Sequence, residues 1–440
     1  VDAISEGYEA GAANGGGAVT AELSESTTQM PAFRDLLETG AVQPVYQPVL
    51  NLENGDVVGY EALARGPAGT GLELPAALFG LARRTGQVAR LDGWCQRRAV
   101  EGALDGGALD GRLLFVNVEP EGLGDAPDVL EALPEQALAR LSVVLEITER
   151  AVVSSPSALF DLVLRTRARG WGIALDDIGA DPASLAVMPL LDPDVIKLDL
   201  RLVQDRPTVE TAAILTAVNA HAERTGAVVL AEGIETPAHR AEALAMGARF
   251  GQGFGLGRPG RLPADPPPPP DEAVLASRGA YSPPAASPFA LVSAARPVRR
   301  SSKHLLAALS RHLEDQARAL GPAAVVLSTF QHARRFSGAS ARRFSDMASG
   351  AAFVGALGGA MPDAPAAGVR GAALAPDDPL VREWDLVVIG PHFSAALVAA
   401  DRGDTDVPDA ERRFDHVLTF DRGLAVAAAC ALMSRFRRRA

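Results

Sequence analysis

The chain has 440 residues, 48% of them hydrophobic and 22% charged, and a formal net charge of −12. That length predicts two or three domains with ample core, and the composition excludes a fibre or a wholly disordered chain. The acidic balance argues against nucleic acid as the main partner, while a phosphate ligand held through metal ions stays compatible with it.

Cys95 and Cys430 are the only cysteines, so neither a disulfide framework nor a thiolate zinc site is on offer. No apolar run reaches the ~18 residues of a spanning helix, and the first residues lack the basic-then-apolar layout of a secretory signal. The expectation is a soluble, cytoplasmic protein with no membrane partner. Of 42 basic residues only Lys197 and Lys303 are lysine.

Residues 1–28, rich in Ala and Gly, show no sustained periodicity and are expected to form a flexible leader. From 29 to 260 strand-like and helix-like segments alternate. Strand Val45–Leu50, a turn at Glu53–Asp56 and strand Val57–Leu63 form an opening hairpin. Helices are expected over Pro75–Gln87, Leu91–Leu104, Ala126–Leu141, Pro156–Arg169, Thr208–Thr225 and Pro237–Met246. Strands are expected over Leu113–Val118, Val143–Thr148, Gly172–Leu175, Asp194–Leu198 and Ala227–Ala231, with a short one near Arg249–Gly251. This repetition predicts an α/β fold, a modified (β/α) barrel whose first strand pair departs from strict alternation.

Residues 261–300, with five consecutive prolines at 266–270, are expected to be an extended linker. From 301 to 440 a smaller α/β module follows: helix Lys303–Leu320, strand Ala323–Phe330, helix Ser340–Ser349, strands Ala352–Leu357 and Leu386–Gly390, and helix Gly423–Phe436.

The chemistry is concentrated where barrel strands end, the face on which such barrels place their catalytic groups. Glu61, Asn117, Glu146, Asp176 with Asp177, Lys197 and Glu232 occupy six strand ends, and almost nothing else charged lies within those strands. Any one could be a polar terminus kept for solubility. Together, five carboxylates and a carboxamide with no histidine or thiolate suit Mg²⁺ or Mn²⁺ and point to two-metal phosphoester hydrolysis. Lys197 is either a compact point charge for a water or phosphate oxygen, or a structural partner of Asp199. A Schiff-base aldolase would need a deprotonated lysine, which the surrounding acids oppose. A glycosidase would need aromatic sugar platforms, and the chain is only 5% aromatic.

The segment Tyr60-Glu61-Ala62-Leu63-Ala64-Arg65 resembles the signature of EAL-domain cyclic-di-GMP phosphodiesterases. It is accompanied, in order, by Tyr46-Gln47-Pro48, Asn117, Glu146-Ile147-Thr148-Glu149, Asp176-Asp177-Ile178-Gly179, Ile196-Lys197-Leu198-Asp199, Ala231-Glu232-Gly233-Ile234-Glu235-Thr236 and Gln252-Gly253-Phe254. The resemblance implies a TIM-like EAL barrel and a hydrolase that opens one phosphodiester of cyclic-di-GMP to linear pGpG. It implies that Glu61, Asn117, Glu146 and Asp176 bind one metal, and that Asp177 helps hold a second that Asp176 bridges. Lys197 would position the attacking water, with Glu232 as support for the second metal or base; these two and Glu61 are the expected catalytic residues. Gln47, Leu63, Arg65 and Gln252 would contact or orient the substrate. Glu149 and Glu235 would brace the ligands from behind, Glu149 steadying the loop after Asp177. In the family that loop also relays dimer contacts, which makes a homodimer a further expectation. Here Ile178, Ala180, Asp181 and Pro182 depart from the family's common Asp-Asp-Phe-Gly-Thr-Gly, so the alternative is a feeble or inactive EAL protein serving as a cyclic-di-GMP receptor.

Residues 301–437 resemble the DICT sensory module, through Lys303-His304-Leu305-Leu306, Ser328-Thr329-Phe330-Gln331, Ala352 to Gly358, Glu383-Trp384, Gly390-Pro391-His392-Phe393 and Arg413-Phe414-Asp415. The resemblance implies a sensory role with an unknown signal or ligand, and the domain order with its stiff proline linker leads to the expectation that this module regulates the barrel. Arg334, Arg335, Arg342 and Arg343 either line an anion site or form a solvated helix face.

Overall fold

The computed structural model describes residues 29–104, 108–123, 140–148, 150, 156–270, 274–275, 286–404 and 407–436. The expected leader, most of the helix expected over Ala126–Leu141, and Glu149 lie outside the described residues. Eight strands close into a barrel in sequence order: β1 (Gln43–Asn51), β2 (Val57–Arg65), β3 (Leu113–Asn117), β4 (Ser142–Ile147), β5 (Gly172–Ile178), β6 (Val195–Leu198), β7 (Val228–Ala231) and β8 (Phe250–Gly251). β1 runs antiparallel to β2, whereas the β2–β3, β5–β6, β6–β7 and β7–β8 pairs are parallel. The opening hairpin is therefore the departure from a regular (β/α) barrel that the sequence predicts. No helix among the described residues is long and apolar enough to cross a membrane.

The chain packs as two compact units, one built from residues 1–50, 55–144 and 256–274, the other from residues 51–54, 145–255 and 275–440. In the first, a helix over residues 29–39 and the helices Pro75–Thr85 and Val88–Leu104 bury Phe33, Leu36, Leu72, Leu78 and Leu91 against one another. Gly40 turns out of the first of these helices at φ 66°, and a Cβ there would lie 2.4 Å from the Trp94 ring. Only glycine supplies that conformation without the clash. The proline run is anchored rather than free, because buried Arg112 donates to the carbonyls of Pro267 and Pro268 as well as to Val57 O (3.0 Å).

In the second unit the helix Ala183–Leu191 follows directly on the β5 loop. Ser184 through Leu191 are all buried, as expected of a segment apolar on every side. The unit also holds a seven-stranded sheet in the order β12-β11-β10-β13-β14-β15-β9. Its strands are β9 (Arg299–Ser302), β10 (Val325–His332), β11 (Phe353–Gly359), β12 (Arg370–Leu374), β13 (Glu383–Ile389), β14 (Ser394–Asp401) and β15 (Arg413–Thr419). β10 sits centrally, parallel to β11 and antiparallel to β13, which suits its unbroken apolar start Val325-Val326-Leu327. Within the stretch expected as linker, the helix Pro288–Ala295, capped by Ser287, packs on β15 and on the helix Arg422–Met433.

Candidate active site

In the first unit Glu61 lies in the middle of β2 and is only 6% exposed. Asn117 closes β3, and its Nδ2 donates to Glu61 Oε1 at 3.1 Å. The two-residue period of a strand places Leu63 and Arg65 on the same face as Glu61. The electrostatic pull of Glu61 on the Arg65 guanidinium partly offsets the burial that lowers its pKa. Gln47, the cross-strand neighbour of Glu61, is buried and donates to Gly257 O at 3.0 Å. A cavity of about 240 Å³ borders Glu61, Leu63 and Asn117 and is also lined by Asp92, Cys95 and Glu119. Burial, reinforced by Glu119, pushes the Asp92 carboxyl well above the usual carboxylate range. An acid among the apolar positions of the Val88–Leu104 helix is the sequence signal that marks Asp92.

In the second unit the organising group is Lys197, 1% exposed on β6. Its Nζ meets Glu146 Oε1 at 2.7 Å, Glu232 Oε1 at 2.9 Å and Asp176 Oδ1 at 3.1 Å. Asp199 turns elsewhere: its side chain caps the helix Leu200–Gln204 and accepts from Arg201 Nε at 2.8 Å. The structural pairing of Lys197 with Asp199 is thus replaced by a cluster of three acids.

Asp176 and Asp177 lie inside β5 rather than just beyond it. Neighbouring residues of a regular strand point to opposite faces, but the β5–β6 register shifts between Leu175 and Ile178, and Asp177 adopts φ 57°. Such an irregularity re-aims a side chain, and it leaves carboxylate oxygens of Asp176, Asp177 and Glu232 all within 4.8 Å of one another. Four carboxylates, counting Glu146, are thus grouped with one ammonium group that contacts three of them, a local excess of negative charge. Oxygens that close and that hard fit a hard divalent cation. The residues that depart from the family pattern build an ordered turn: Asp181 Oδ1 accepts from Ala183 N (2.8 Å), Ser184 Oγ donates to Asp181 O (2.7 Å), and Pro182 opens the helix Ala183–Leu191.

Gln252 is buried just after β8, its backbone N–H bonded to Ala231 O (2.9 Å). Glu235 is exposed, and its backbone N–H donates to His239 Nδ1 (3.3 Å); its carboxylate takes no part in the ion-pair cluster.

The EAL domain family matches residues 30–259, just over half of the sequence. The chain belongs to the EAL domain family. A second family, described as a sensory domain in diguanylate cyclases and two-component systems (DICT), matches residues 289–402. The cyclic di-GMP phosphodiesterase NbdA of Pseudomonas aeruginosa is 32% identical over 234 residues, covering 52% of this chain and 30% of NbdA. The cyclic di-GMP phosphodiesterase RocR of the same organism is 30% identical over 245 residues, covering 52% of this chain and 61% of RocR. This EAL protein thus spans less than two thirds of either relative. Among solved structures, the PaMucR phosphodiesterase in complex with c-di-GMP is 29% identical, with a TM-score of 0.46, covering 54% of this chain and 98% of that one. The manganese/cy-diGMP complex of Klebsiella pneumoniae BlrP1 is 28% identical, with a TM-score of 0.43, covering 50% and 56%.

Proposed function

We propose that this EAL protein is a metal-dependent phosphodiesterase that hydrolyses one phosphodiester of cyclic-di-GMP to linear pGpG. The observation that carries the proposal is the Lys197 cluster with its excess carboxylates, within a family whose curated relatives include cyclic di-GMP phosphodiesterases. Glu61, Asn117, Glu146, Asp176 and Asp177 would hold two divalent cations. Bound there, the cations would supply charge neutralisation for phosphoryl oxygens and a more acidic water. Glu146, Asp176 and Glu232 together occupy the three N–H donors of Lys197, so Lys197 would act on the attacking water as a fixed positive charge, and Glu232 would accept that water's proton. Arg65 offers a planar fork of donors to a phosphate. Gln47 and Leu63 shape the substrate's approach, Gln252 orients it, and Glu149 and Glu235 steady the surrounding loops.

Regulation by the sensory module is part of the same proposal. The helix Arg422–Met433 packs on the helix Ala183–Leu191, with Cys430 Sγ 3.8 Å from Leu190 O. A shift in the sensory module would therefore reach the segment that leads back to Asp176 and Asp177. The rebuilt turn at Ala180, Asp181 and Pro182 favours a second reading, a cyclic-di-GMP receptor with weak turnover. Incubating the purified protein with cyclic-di-GMP and Mg²⁺ or Mn²⁺, with Glu61→Ala as control, separates the two. Metal-dependent pGpG formation lost in the control supports the enzyme, and saturable binding without product supports the receptor.

A further inference from the structure

The sensory module contains a cavity of about 380 Å³ between β10, β13 and the helices Lys303–Leu320 and Gly338–Ala348, within the size range of small-molecule sites. Two features set it apart from a water-filled crevice. The first is charge. Lys303, Arg311, Arg334, Arg335, Arg343 and Arg412 line it, against the two carboxylates Glu314 and Asp409. Asp409 is shared among Lys303, Arg335 and Arg412, Arg412 also pairs with Asp401, and Glu314 is taken by Arg343 at 2.7 Å. Arg311 and Arg334 have no carboxylate partner among the described residues. Burial and the neighbouring Arg335 both hold the Arg412 guanidinium below its ordinary pKa, a sign of crowded positive charge.

The second feature is the wall. Phe330, Trp384 and Phe414 present aromatic surface, with Trp384 and Phe414 edge to face at 5.7 Å. Ser310 lines the same cavity from the helix Lys303–Leu320; it is 6% exposed, and its hydroxyl has no hydrogen-bond partner among the described residues. A buried hydroxyl left unpaired is destabilising, and a ligand's polar atom would remove that cost.

We infer that this cavity binds a small anion carrying a flat ring: the phosphate or carboxylate meets Arg334 and Arg311, the ring lies against Trp384 and Phe330, and a polar ring atom bonds Ser310. The inference is independent of what the barrel does. Its test is fluorescence titration of the full chain with the aromatic sulfonate 8-anilinonaphthalene-1-sulfonate, followed by competition. Saturable one-to-one binding is expected, weakened at least 10-fold by Arg334→Glu and abolished by Ser310→Leu, and unchanged by Glu61→Ala in the barrel. Near-UV circular dichroism checks that each variant is folded. The exposed Arg334→Glu variant keeps the test valid if Ser310→Leu is not. AMP and 1-naphthoate carry the two candidate anions on a ring, and displacement by either supports the site and identifies its anion. Displacement by neither, or by pyrophosphate as well as by AMP, overturns it. So does binding that is absent, insensitive to Arg334→Glu, or lost in Glu61→Ala.

Discussion

Replacing Lys197 by methionine keeps the stem and removes the charge. At an effective dielectric of about 20, each contact near 3 Å amounts to roughly 5–6 kcal/mol of Coulomb energy, most of it offset by desolvation of the ions. What remains after the exchange is an uncompensated buried Glu146, itself 1% exposed, together with Asp176 and Glu232. Breaking a buried pair in this way costs about 3–5 kcal/mol, which lowers the melting temperature by roughly 6–20 °C for a unit of this size. Differential scanning fluorimetry in EDTA reads that loss. Saturating Mn²⁺ should return part of it, since a ligand at 100 times its dissociation constant contributes about 2.7 kcal/mol. The rate of pGpG formation should fall by on the order of 10²–10⁴-fold. A Lys197→Met protein melting within a degree of the wild type in EDTA would refute the charge argument, and one with an undiminished rate would remove Lys197 from catalysis.

Asp177→Asn should weaken Mn²⁺ binding by more than 10-fold in calorimetry while leaving the melting temperature in EDTA unchanged or raised, because it removes a like charge from a crowded site. Cys430→Trp, which overpacks the contact with Leu190, should cost about 1–3 kcal/mol and change turnover at constant metal affinity; an unaltered rate would uncouple the sensory module from the barrel. Burial and the adjacent Glu383 raise the Asp385 carboxyl well above the carboxylate range. Its contribution is therefore complete below pH ~4 and is lost as pH climbs through the raised pKa. Asp385→Asn should thus melt higher than the wild type at pH 8, with the gap closing toward pH 4; a gap that does not narrow on acidification would refute the assignment. Burial, Asp92 and Glu119 push the Cys95 thiol far up, and Cys430 is buried, so a thiol reagent at pH 8 should label neither before unfolding and both after.

The barrel was legible because its signals are local and repeat: apolar runs that end in acids recur from Val57 to Glu232, and the Glu53–Asp56 turn marks the inverted first pair. The sensory sheet was less so. β14, Ser-Ala-Ala-Leu-Val-Ala-Ala-Asp, carries the alanines of a good helix former and becomes a strand only because β13 and β15 flank it. The helix Ala183–Leu191 gave no amphipathic period, since every side of it is covered.

By itself the sequence determined which donors the protein owns and on which strands they sit, because residue type and strand period are properties of the chain. Only the tertiary structure decided how they face. The irregular β5 aims Asp176 and Asp177 together, Lys197 chooses three acids over Asp199, and Ser310 lines one cavity with arginines from other elements of its sheet domain. Such distances are set by packing between segments far apart in sequence, which no local pattern encodes.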